Sequence, residues 1–421
     1  MRTRINIMPG VTLNANRSDK FKTGCFSLNL LRPLCREEAA LNALIFSVLI
    51  RGTEKHPDMQ SLSCAMDELY GAEIGLLIRK KGEVQTVGLF ADFVEDAFLP
   101  QGEVFSGAVN LAVEMLLQPR LEDGVFRKEF VEREKENLIH SIRSRLNSKR
   151  AYAVSRMVKA MFKDEAYGVD RLGEEEDLAD VTAESLYAHY RRILATSRVE
   201  ICYMGRRDPE EVAQMFRNAL KDLPREEVVP VSTNFVPSAK MVQEVEESLD
   251  VTQGKLCMGF RLGLCSKDSL WPAAVVFNSV YGSGVTSKLF VNVREKMSLC
   301  YYASSSLEKF KGIMLVSSGI EFEKKETAQN AILAQLDACR KGDITETELL
   351  SAKNHILSSL QISKDSPGQM DEYDLGQAIV GSTGTVDAFM DKVRAVTAEE
   401  VAAVAQGITL DTVFFLKGAE V

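Results

Sequence analysis

The feature that most constrains this chain is an internal repeat. DVTAESL at Asp180–Leu186 returns as AVTAEEV at Ala395–Val401, a period of roughly 215 residues. Each copy opens a helix, with Thr182 or Thr397 suited to the N-cap. A strand-like run follows each: VEICYMG at Val199–Gly205 and VFFLKG at Val413–Gly418. The elements upstream also repeat. Helical patterns ending at Gly52 and Gly282 are each followed by paired strand-like runs, Ala72–Lys80 with Val84–Phe93 and Cys300–Ser306 with Gly312–Ile320. Long helical patterns come next, Gly102–Leu117 and Glu122–Asn147 in the first half, Glu326–Cys339 and Glu346–Gln361 in the second. A matched order of about eight elements predicts two copies of one half, each an antiparallel sheet packed with several helices, which is α+β.

Length agrees. A chain of 421 residues exceeds what one hydrophobic core serves and suggests two domains of about 200 residues. The stretch LPREEVVPVSTNFVPSAK carries three of the eleven prolines and reads as a linker. The expected division is 1–224, a linker over 225–240, and 241–421.

Several function classes fall away on composition. The net charge is −9, which argues against nucleic acid as the main partner. The basic run Arg143–Arg150 reads as the solvated end of a helix, with phosphate binding as the minority alternative. The eight cysteines include no Cys-x-x-Cys pair and sit mostly in apolar contexts, as buried reduced thiols do. The N-terminus lacks an apolar core of signal-peptide length, and the longest apolar run, near Leu41–Ile50, is about half a membrane span. A cytoplasmic protein without membrane contact is expected. Only four histidines occur, His56, His140, His189 and His355, and none belongs to a two-histidine zinc helix.

Two stretches carry a family resemblance over essentially the whole chain. GSGVTSKLFVNVREKMSLCYYASS (Gly282–Ser305) is similar to the Gly-Gly-x-x-Ser-x-Leu-Phe…Arg-Glu-Lys-x-Gly-Leu-x-Tyr stretch of the insulinase/pitrilysin-type metallopeptidases, and LNALIFSVLIRGTEKHPD (Leu41–Asp58) resembles their catalytic helix and its exit. The small paired bacterial members and the mitochondrial processing peptidase subunits look closest in size. The resemblance implies a clam-like, two-half peptidase body.

The chain departs from that family where the metal would sit. Active members carry His-x-x-Glu-His, two zinc ligands on one helix face with a general base between them. Counting back from Gly52-Thr53 puts those positions at Ala43, Phe46 and Ser47. The family's later ligand Glu aligns with Ser141, one residue from His140, which would point about 100° away on a helix. A methyl, a phenyl and two hydroxyls cannot assemble a zinc site, so no metal or cofactor is expected in this chain. The family's substrate-holding edge strand has Gly75 and Leu76 at its Asn-Ala positions. By contrast Arg294 and Tyr301 remain. In the family this pair holds the substrate backbone and supports the oxyanion; outside it they would read as an ordinary surface Arg and strand Tyr. The resemblance implies a non-catalytic, peptide-binding subunit. A homologous partner in a heterodimer, or a second copy, would complete it, and zinc would be only in the partner. The alternative is a structural scaffold with no part in proteolysis.

Overall fold

The structure is a computed structural model, and it describes residues 2–419. The first half begins with β1 (Arg2–Met8) and β2 (Val11–Arg17), turned at Pro9-Gly10, then β3 (Thr23–Pro33), α1 (Arg36–Leu49) and α2 (Met59–Glu68). The strands β4 (Glu73–Lys81) and β5 (Val84–Val94) form a hairpin before α3 (Val104–Leu117). A two-residue hairpin, β6 (Leu121–Glu122) and β7 (Val125–Phe126), occupies the start of the stretch expected to be one long helix. Asp123 and Gly124 at its tip take positive φ, which no helix accommodates. Next come α4 (Lys128–Ser144), α5 (Lys149–Met161), α6 (Ala183–Thr196), β8 (Arg198–Gly205) and α7 (Pro209–Ala219).

The second half runs β9 (Gln243–Leu249), β10 (Gly254–Arg261), α8 (Trp271–Asn278), β11 (Cys300–Glu308), β12 (Ile313–Ile320), α9 (Lys325–Arg340), α10 (Glu346–Ser363), α11 (Pro367–Val380), α12 (Val386–Ala395), α13 (Ala398–Gly407) and β13 (Thr409–Gly418). Sequence patterning gave no sign of α11 and α12. Thr182 and Thr397 cap α6 and α13 through reciprocal capping boxes, as the repeated Val-Thr-Ala-Glu stretch requires.

The repeat is plain in the sheets. The first has strand order β1-β2-β8-β3-β5-β4 and the second β11-β12-β10-β13-β9. Read from its far edge, the second reproduces the first without β1. Pairing is antiparallel except for one parallel pair in each, β2 with β8 and β13 with β9. One face of the first sheet carries the main apolar core, with Leu13, Phe26, Leu28, Leu30 and Ile201 against α1, α3, α6 and α7. Leu256, Met258, Phe260, Val413 and Phe415 do the same in the second, against α8, α9 and α13.

The chain divides into two compact units that do not follow the expected sequence boundaries. One holds the chain up to Arg143 with Val169–Ser232 and Ser366–Thr383; the other holds Ser144–Gly168, Thr233–Asp365 and the chain from Gly384 onward. Each half thus lends one helix to the other half's sheet. Helix α5 lies on β10 and β13, burying Ala153, Met157 and Met161 against Cys257, Phe414 and Leu416. Helix α11 lies on β8 and β3, and there the contact is largely polar, with Leu375 packed beside it on Leu31, Val84 and Cys202. Ser27 donates to Asp371, Asn16 donates to Asp374, and Asn14 donates to Glu200 beside them, all largely buried. Periodicity shows which face of a helix is apolar but not which sheet covers it.

Equivalent hairpin lysines fasten both lent segments. Lys81 and Lys311 each precede a glycine at positive φ, Gly82 and Gly312, and both are buried. Lys81 pairs with Glu372 on α11, and Lys311 donates to Glu165 just after α5 at 2.7 Å. Residues 225–240 have no regular secondary structure, and both ends are tied down. Arg225 donates to the carbonyls of Pro9, Leu194 and Ser197, and Lys311 donates to that of Asn234. No helix among the described residues is long and apolar enough to cross a membrane.

Candidate functional site

Helix α1 turns to the core the positions that the sequence aligns with the family's zinc motif. Ala43 and Phe46 are fully buried, and Ser47 is half-buried with its hydroxyl donating to the Ala43 carbonyl at 3.3 Å. On α4, Ser141 is exposed and donates to the Asn137 carbonyl at 2.9 Å, and His140 is exposed. The methyl, the phenyl and the two hydroxyls of Ala43, Phe46, Ser47 and Ser141 are not donors that zinc takes, and the single His140 imidazole is too few for a site, so these side chains do not fit the metal. Among the described residues no group of three or more His, Cys, Asp or Glu is placed to hold a metal ion.

What ties α1 to α4 is instead an ion pair. Arg51, just past the end of α1, bonds Glu134 on α4, and Asn137 donates to the same carboxylate. A second polar network runs from the neighbour of Ala43. Asn42 donates to Gln85 at 2.8 Å, and its carbonyl oxygen lies 2.8 Å from His189 Nε2. Arg192 lies 2.8 Å from His189 Nδ1 and pairs with Glu38, which also pairs with Arg32. Arginine can only donate and the Asn42 oxygen only accept, which assigns the neutral Nε2–H tautomer to His189. Burial lowers its pKa to about 4, in keeping with that neutral form. The partners of His189 lie 147 residues away at Asn42 and within its own helix at Arg192, and no local pattern shows the first.

Gly75 and Leu76 lie on β4, which is an edge of its sheet. A Cβ at Gly75 would meet the Phe90 ring at 2.5 Å, so glycine here makes room for an aromatic on the neighbouring strand.

Arg294 and Tyr301 belong to the second unit. Residues Leu289–Lys296 coil as a π-helix, with Met297 N–H bonded to the Asn292 carbonyl five residues back. Arg294 stacks its guanidinium 4.5 Å from the Phe290 ring centroid, and among the described residues its one ion pair is to Glu295 at 3.5 Å. Ser298 takes a positive φ of 49° and turns the chain into β11. The β11–β12 register shifts between Cys300 and Tyr302, so Tyr301 sits at a bulge and is 68 % exposed. Both side chains are thus held on the surface of one unit, without a hydrogen bond between them. Gly282 lies in the π-helical turn Ser279–Ser283 that follows α8, where a Cβ would meet Ser305 Oγ at 2.5 Å, so its role is close packing.

Comparison with known proteins places the chain. A Bacillus subtilis protein named "Probable inactive metalloprotease YmfF" is 32 % identical over 412 residues, covering 98 % of this chain and 96 % of that protein. The chain belongs to the M16 peptidase family. This is the insulinase/pitrilysin-type family that the Gly282–Ser305 stretch resembles. The family description "Peptidase M16 inactive domain" matches residues 180–356. A conserved protein from Enterococcus faecalis V583 superposes with a TM-score of 0.92 at 29 % identity, covering 99 % of both chains. A protease from Helicobacter pylori shares the fold at a TM-score of 0.84 and 14 % identity, again covering 99 % of both chains.

Proposed function

We propose that this M16 homologue is a non-catalytic, peptide-binding subunit. It would offer Arg294 and Tyr301 to peptides cleaved by a homologous partner that supplies His-x-x-Glu-His and zinc. The observation that carries the reading is an asymmetry. Ala43 and Phe46, which the resemblance aligns with the zinc motif, are core residues, whereas Tyr301 stands exposed at a bulge and Arg294 has among the described residues only one long ion pair. The name of the Bacillus subtilis relative supports the first part. A forked guanidinium and a phenol are the donors a substrate carbonyl requires.

The test is reconstitution with an M16 protein from the same organism that carries His-x-x-Glu-His. Peptide cleavage that needs both proteins, is stopped by a chelator and falls at least tenfold on Arg294→Gln or Tyr301→Phe is the expected result. A stable complex whose cleavage ignores both substitutions would point to the second reading, a structural pseudopeptidase. The packing of α1 favours that reading equally, since a scaffold needs the core and not the pair.

A further inference from the structure

Four strands lie at the edges of the two sheets, and three of them are guarded by charge. Strand β1 carries Arg2 and Arg4, β4 carries Glu73, Arg79, Lys80 and Lys81, and β9 carries Glu244, Glu246 and Glu247. Charged side chains on an edge discourage pairing with another strand. Strand β11 has none from Cys300 to Leu307, and its first charge is Glu308 at the very end. Among the described residues, Tyr301–Leu307 make no backbone hydrogen bond beyond those to β12. This edge is therefore open and unguarded.

Two cations flank it. Arg150, in the first turn of α5, donates to Ser304 Oγ at 2.8 Å and lies 4.2 Å from the Tyr302 ring centroid. Lys255 Nζ lies 6.0 Å from the same centroid. Tyr302 reaches over Gly319, where a Cβ would meet its ring at 2.6 Å. Neither cation forms an ion pair among the described residues, although Arg156 on the same helix pairs with Glu247. Burial lowers the Lys255 pKa, and the Arg150 charge adds to the effect. Two neighbouring like charges without a carboxylate, in a chain of net charge −9, are a place made for a negative group. Within the Arg143–Arg150 run, Arg150 is thus a side chain placed against this strand.

We propose that the β11 edge docks an extended peptide segment bearing carboxylate side chains. Its main chain would pair with β11 and a carboxylate would lie against Arg150 and Lys255 opposite Ser304. The proposal rests on the peptide-binding part of the function above and names the class of peptide.

The test is fluorescence anisotropy on the full-length protein, with a dye-labelled peptide alternating Glu and Val and its Gln-for-Glu counterpart. Arg150→Gln and Lys255→Gln should each weaken the acidic peptide by about fivefold, with less effect on the Gln peptide. Ser306→Glu, which puts a charge guard on the exposed edge, should weaken it further. Added salt should weaken it as well. Unchanged Trp271 emission confirms that each variant is folded. Equal affinity for the two peptides, or indifference to both cation substitutions, overturns the proposal. If that happens while Arg294- and Tyr301-dependent cleavage persists, only the acidic docking falls. Arg150-dependent binding without partner-dependent cleavage removes the two-component reading instead.

Discussion

Replacing Glu165 by Gln should weaken the hold on the segment that the first half lends to the second unit. The Glu165 carboxylate accepts from Lys311 Nζ at 2.7 Å and Arg261 Nη2 at 2.9 Å, and those side chains are 0 % and 4 % exposed. Both cations also lie against Phe162, at 5.3 and 4.7 Å from its ring centroid. Arg261 keeps Asp411 at 2.8 Å, but its Nη1 has no hydrogen-bond partner, so little compensation is at hand. Removing one partner of a buried ion pair costs about 3–5 kcal/mol. Glu165 is 18 % exposed, which places the expected loss at the low end, about 3 kcal/mol. With an m-value of about 2 kcal/mol/M in urea, the midpoint should fall by roughly 1.5 M. Trp271 is the sole tryptophan and is buried in the second unit, so its fluorescence follows that unit. The two cations lower the Glu165 pKa against the opposing effect of burial, which is the largest single influence. A depressed carboxyl stabilises above its unfolded pKa of about 4.5 and ceases to as pH falls through the folded value. The gap between the two proteins should therefore be widest at neutral pH and close below about pH 4. A loss under about 1 kcal/mol at pH 7, or a gap that ignores acid, would refute the assigned role of the cluster.

Burial pushes Asp374 up to about 7, despite Arg2 at 3.5 Å. Because a raised carboxyl favours the folded state in its protonated form, that contribution is complete below about pH 4 and is lost as pH rises through 7. Hydrogen exchange of the α11 amides, corrected for intrinsic rate, should show more protection at pH 5.5 than at pH 8, and Asp374→Asn should flatten the difference. His189, lowered to about 4, acts the other way: its contribution is present above about pH 6.5 and is lost towards pH 4. His189→Gln should reduce the acid sensitivity of the first unit in a circular-dichroism titration. Restoring the metallopeptidase motif as Ala43→His, Phe46→Glu and Ser47→His should yield a destabilised protein without stoichiometric zinc on metal analysis, since two of the three sites face the core. Gly88→Ala would place a Cβ 1.8 Å from the Leu28 carbonyl oxygen and should cost more than about 3 kcal/mol in thermal denaturation.

The two-copy architecture was legible because β3, β5, α1 and α3 carry their own periodicities and recur in the same order as β10, β12, α8 and α9. Helix α11 was not. It packs against Ser27, Asn16 and Cys202 through Asp371, Asp374 and Leu375, so it has no broad apolar stripe to betray it. The exchange of helices was hidden for a related reason, since only coordinates reveal which sheet a helix covers. At the candidate site, the resemblance pointed to Ala43, Phe46, Ser47, Arg294 and Tyr301. It said nothing of Arg51 with Glu134, or of Arg150 beside Tyr302, because each pair depends on segments far apart in sequence.

The reciprocal loan of helices has a consequence for synthesis on the ribosome. The first sheet is finished once β8 emerges, but its cover α11 is not made until residues 367–380. Throughout that wait its uncovered face shows mainly Asn14, Asn16, Ser27 and Glu200, groups that water solvates, with a small apolar spot at Leu31, Val84 and Cys202. The second sheet faces no such delay. Its uncovered side is apolar, with Cys257, Phe414 and Leu416, but α5 is already waiting when β13 leaves the tunnel. The polarity of each face thus matches how long it must stand bare.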